Sequence, residues 1–122
     1  MNYQEVEALF QRSRKRKEDG SVFLRKRATY LHKGTDCYYV RYHNTNVVTI
    51  HKDGIYTLYT GGNRSRTTKR RIMEYSPLRI WQRDHTWYVG NGIPFYNCIT
   101  VDSIGVIMDI DHSNITEREN SE

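Results

Sequence analysis

A chain of 122 residues with 37% hydrophobic content is long enough for one domain with a modest core, and no second domain is expected. Its net charge of +5 is unevenly spread: residues 1–90 hold 18 Lys or Arg against 8 Asp or Glu, a net +10, whereas residues 91–122 hold one Arg against 6 acids, a net −5. A body this basic favours a polyanionic partner, the competing reading being a solvated surface that only aids solubility.

Asn2 and Glu5 have the spacing of a capping box, which predicts an N-terminal helix within residues 1–20. That helix is expected to run to about Glu18, with Val6, Leu9 and Phe10 on one face, its cations in the second half and Gly20 as its stop. Ser21 to Leu31 reads as extended chain interrupted by Arg25-Lys26-Arg27, as at a bend or a sheet edge, and Gly34 and Asp36 mark a turn. From Cys37 to Thr60 the pattern is a three-stranded meander. Tyr38, Val40 and Tyr42 alternate with Tyr39, Arg41 and His43, Asn44-Thr45-Asn46 supplies a turn, and Lys52-Asp53-Gly54 marks a hairpin.

Tyr59-Thr60-Gly61-Gly62 ends the meander in a glycine turn, and a short helix follows, capped by Ser65 or Thr67 and closed by Pro77. Thr68, Ile72 and Tyr75 form its buried stripe, leaving Arg66, Lys69 and Arg70 toward solvent. Leu78–Gln82 and Thr86–Val89 read as a second hairpin around Arg83-Asp84-His85, flanked by Trp81 and Trp87. Ile93 to Val101, holding Pro94, reads as an edge strand, and Ser103 to Ile110 is an apolar run without a clear period. Residues 111–122 form an acidic tail for which disorder is expected. The fold class that follows is α+β: one domain over residues 21–110, with an antiparallel sheet of about five strands built from the meander and the second hairpin, the N-terminal helix and the short basic helix.

The chemistry points to binding. The glycine turn lacks the spacing of a Walker phosphate loop, and Gly54-Ile55-Tyr56 stands too close to Tyr59-Thr60-Gly61 for a GIY-YIG nuclease. His32, His43, His51, His85 and His112 are scattered singly, which gives no metal site, and Cys37 and Cys98 read as reduced core thiols. No paired carboxylate or activated nucleophile is present, so no enzyme and no cofactor are expected. The candidate site for an anion or nucleic acid is Arg64, Arg66, Lys69 and Arg70 around Gly61 and Gly62, with Arg41, Tyr39 and Tyr59 adding charge and stacking faces. The rival for the same turn is architectural, glycines supplying positive φ beside solvated cations.

His43-Asn44-Thr45-Asn46-Val47-Val48, Asp53-Gly54, Thr60-Gly61-Gly62, Thr67-Thr68-Lys69-Arg70-Arg71 and Trp87-Tyr88-Val89 together resemble a group of small uncharacterised proteins of tailed bacteriophages, over roughly residues 29–101. Asn46 and Asn63 depart from that pattern, where an acidic and an aromatic residue stand. The resemblance implies a viral protein acting in the host cytoplasm and implies no reaction. Two partner classes follow: nucleic acid or another phosphate-bearing ligand, and, alternatively, a host defence protein or signalling nucleotide that an anti-defence protein would inhibit or sequester. The sequence leaves the oligomeric state open.

Overall fold

Asn2 and Glu5 cap the first helix reciprocally, the Glu5 N–H donating to Asn2 Oδ1 at 2.8 Å and the Asn2 N–H to Glu5 Oε1 at 2.9 Å. In the computed structural model, which describes residues 1–25 and 28–108, this helix, α1, spans Tyr3–Arg12 and ends at Ser13 instead of reaching Glu18. Its apolar stripe stops at Phe10, so nothing beyond Ser13 has a face to bury, and the Ser13 hydroxyl donates to the Leu9 carbonyl at 2.6 Å. The basic run continues as extended chain, with Arg16 bridged to Val22 and the Lys17 N–H donating to the Ser21 carbonyl at 2.9 Å.

Six antiparallel strands form the main sheet in the order β1-β2-β3-β4-β5-β9: Val22–Arg25, Thr29–Lys33, Cys37–Tyr42, Thr45–His51, Tyr56–Leu58 and Ile99–Val101. The predicted extended segment before Leu31 is thus two paired strands, with β1 last in the sheet. The meander stands as read, except that β4 begins at Thr45 and a bulge opposite Val40 and Arg41 places both Val47 and Val48 indoors. A second sheet, β6-β7-β8, comprises Ile80–Arg83, Thr86–Val89 and Ile93–Pro94. The edge strand expected over residues 93–101 is therefore two pieces, each last in its own sheet. Residues 103–108 are turn and irregular chain, held to β9 by a bridge from Ile107 to Val101, and the last two residues of the predicted apolar run lie outside the described residues. The predicted tail lies outside the described residues.

Helix α2, Arg66–Tyr75, starts at the predicted Ser65 cap, whose hydroxyl accepts from the Thr68 N–H at 3.2 Å. Both helices cover one face of the main sheet. Tyr3 and Phe10 of α1 meet the Tyr38 ring, and Arg71 of α2 reaches Thr29. Between them lie Leu31, Val40, Val48, Ile50, Leu58, Ile72 and Ile99, each at 1% exposure or less, and the inner side of the small sheet adds Ile80, Trp87 and Val89. Cys37 and Cys98 are free thiols. Cys37 is buried, but Cys98 is exposed, because it sits at positive φ in the turn that enters β9 and not within the strand.

Candidate functional site

The cations after the paired glycines do not share one fate. Gly61 and Gly62 both take positive φ, +63° and +87°, and a Cβ on Gly61 would stand 3.0 Å from Thr45 Oγ1, so the turn needs glycine for its own shape. Buried Thr60 anchors it: its hydroxyl and its N–H both meet Asn97 Oδ1 at 2.8 Å, and the hydroxyl takes the Gly62 N–H and Arg64 Nε. Asn63 N–H donates to the Thr60 carbonyl and Ser65 N–H to Asn63 Oδ1, which leaves few backbone donors for a ligand. Arg64 folds back over the second sheet, its guanidinium 4.8 Å from the Phe95 ring centre and 5.3 Å from that of Trp87. Lys69 donates to Gln82 at 2.9 Å.

Arg71, which the sequence reading left out of both the buried stripe and the solvent face, turns inward. It is 5% exposed, donating from Nε to Thr29 Oγ1 at 3.0 Å and pairing with Glu74 at 2.6 Å. Arg66 and Arg70 stay exposed, and among the described residues neither pairs with a carboxylate.

Tyr39 and Arg41 lie elsewhere, on the face of the main sheet that neither helix covers. Alternation in β3 turns Tyr38 and Val40 inward and Tyr39 and Arg41 outward, and the register then builds two rows across the strands. One runs Phe23, Tyr30, Arg41, Asn46; the other runs His32, Tyr39, Thr49, Thr57, Thr100. Every member is half-buried or exposed, Phe23 reaching 41%. The Phe23 and Tyr30 rings meet edge to face at 5.6 Å, and Lys17 Nζ stands 4.5 Å over the Tyr30 ring. Tyr59, also 41% exposed, follows inward-facing Leu58 and comes near Gly61 and Thr45 at the far end of the sheet.

Gly34 fixes the Tyr39 ring, for a Cβ there would stand 2.5 Å from that ring and 2.7 Å from Cys37 Sγ. Arg41 is held by Asn46 Oδ1, which accepts from Nε at 2.8 Å and leaves the terminal nitrogens of the guanidinium available. Lys17, Tyr30, His32, Arg41 and His43 line a recess of about 310 Å³, with Asp19 the one acid among its described lining residues. Asp19 is held below the usual carboxylate range chiefly by the Ser21 hydroxyl and N–H, at 2.6 and 2.9 Å. Burial, and then the neighbouring Arg41 charge, hold the His32 imidazole below its ordinary value. The chemistry of this face is therefore two cations, one carboxylate, flat rings and an imidazole whose charged form is disfavoured. Sequence reading named Tyr39 and Arg41 as candidates and did not name Phe23, Tyr30 and His32, although alternation at 30 and 32 against Leu31 carried the same signal. Among the described residues no group of three or more His, Cys, Asp or Glu could hold a metal ion.

The Kyanoviridae Gp96 protein family matches residues 1–105 of this chain. The chain belongs to that family. As a member of the Gp96 family it is a phage protein, in agreement with the resemblance carried by the central motifs. No curated protein and no solved structure matches it. No described helix is long and apolar enough to cross a membrane.

Proposed function

We propose that this phage protein is a non-enzymatic binding protein for nucleic acid, acting in the host cytoplasm, and that the uncovered face of its main sheet is the binding surface. The observation that carries the reading is the row Phe23, Tyr30, Arg41 with Lys17 over the Tyr30 ring. It puts stacking faces beside cations that form no salt bridge among the described residues, with Asp19 the nearby acid, a combination that tracks a single strand without regard to sequence. Arg66 and Arg70, exposed on the helix that covers the other face of the sheet, form a separate pair of cations, and Tyr59 stands exposed beside the glycine turn. A mononucleotide is the second reading, favoured by the recess of about 310 Å³, whose size suits one small ligand; it is the form an anti-defence protein that sequesters a signal would take.

The test is anisotropy of a labelled single-stranded oligonucleotide across a salt series. Binding should weaken steeply with salt, and Arg41→Ala should make the slope shallower by about 0.7 in log K against log salt. Absence of binding at micromolar protein in low salt would refute the reading. A stoichiometric protein partner recovered from nuclease-treated host lysate would then put inhibition of a host protein in its place.

A further inference from the structure

The outer face of the small sheet carries a feature that the main-sheet surface does not explain. Trp81 of β6 pairs across the strands with Tyr88 of β7, which pairs in turn with Pro94 of β8. The Trp81 and Tyr88 rings stack at 4.8 Å and 25°, while their chain neighbours Ile80, Trp87 and Val89 are buried. Trp81 is nevertheless 41% exposed, and its indole N–H is fixed by the Gly90 carbonyl at 3.1 Å, so the outward ring surface is held in one orientation. Arg83 shares the outward side of β6, two residues along the strand, and Arg79 is exposed just before it. Arg79 and Arg83 thus stand four residues apart, about 13 Å on extended chain, one on either side of Trp81, and their long side chains can converge on the phosphates that flank a base stacked there. Neither arginine has a carboxylate partner among the described residues.

We infer that this face is a second contact for single-stranded nucleic acid, one base stacking on the Trp81 indole while Arg79 and Arg83 take the flanking phosphates. The inference rests on the nucleic-acid reading above but uses a different surface. The alternative role for the pair is a hairpin staple, since stacked cross-strand rings stabilise a ladder without any ligand.

The chain has two tryptophans, and Trp87 is 2% exposed, so its indole cannot meet a base directly. Titrating the full chain with an unlabelled oligothymidylate, followed by tryptophan emission, should quench the Trp81 signal, and the quench should vanish in Trp81→Leu. Anisotropy of the same oligonucleotide carrying a label should show Trp81→Leu binding weakened about 5- to 150-fold, with Trp81→Phe close to the wild type because a ring face remains. Arg83→Ala should lower the salt slope by about 0.7. Retained emission of buried Trp87 reports that Trp81→Leu is folded, and Trp81→Phe serves if it is not. Saturable anisotropy with unchanged emission, or with Trp81→Leu at wild-type affinity, would overturn the inference and leave the main-sheet reading standing. No anisotropy change at all would overturn both.

Discussion

Replacing Arg71 by leucine separates the structural cation of α2 from the exposed ones. Arg71 is 5% exposed and bonds Thr29 across the helix–sheet contact, while Glu74, its ion-pair partner, retains 27% exposure. Breaking a buried pair by removing one partner costs about 3–5 kcal/mol in general. Glu74 is about a quarter in water and recovers part of its solvation, which brings the expected loss for Arg71→Leu down to about 2–3 kcal/mol. With a urea dependence of about 1.5 kcal/mol per molar for a domain of this size, the unfolding midpoint should fall by roughly 1–2 M. Arg70→Ala, one residue earlier and exposed, should change stability by less than about 0.5 kcal/mol. Urea titrations of the two variants, followed by circular dichroism, give the comparison. Equal midpoints would refute the claim that burial, and not charge, sorts the cations of this helix.

Tyr38 is fully buried and its hydroxyl has no hydrogen-bond partner among the described residues, so Tyr38→Phe should leave the urea midpoint unchanged or raise stability by up to about 1 kcal/mol. Gly61→Ala should cost about 1–2 kcal/mol in the same assay for its positive φ. Gly62→Ala, whose added Cβ meets nothing within 4 Å, should cost less than Gly61→Ala by the worth of the Thr45 contact. His32 takes up its proton at lower pH in the folded chain than in the unfolded one, so the unfolded state binds more protons and stability falls as pH drops through about 6.5. The midpoint difference between pH 7.5 and pH 5.5 should accordingly be smaller in His32→Gln than in the wild type. Gly34→Ala should displace the Tyr39 ring, and weaker oligonucleotide binding by anisotropy with α1 and α2 intact by circular dichroism is the expected result.

Local signals carried much of the architecture. The alternation in β3, the Asp53-Gly54 turn and the Ser65 cap each act within a few residues, and each element formed where its residues said. What the chain concealed depends on partners far along it. β9 joins β5 across some forty residues, and the two rows of the uncovered face exist only once the register and the bulge at β4 are set. The overlong prediction for α1 took favourable cations at a helix end as enough to continue it, when no apolar face remained to bury. Arg71 was hidden by residue type alone. It sits three residues after Thr68, inside the stripe that also holds Ile72 and Tyr75, and a long side chain there has nowhere to go but inward.

Extended residues 15–17, laid against β1, make the first edge of the main sheet a line of like charge. Two copies approaching along that edge would set lysine and arginine against lysine and arginine before any backbone pairing began, so the sheet does not grow from that side. The basic residues that follow α1 thereby guard the one edge of the sheet that β1 would otherwise leave open to another copy.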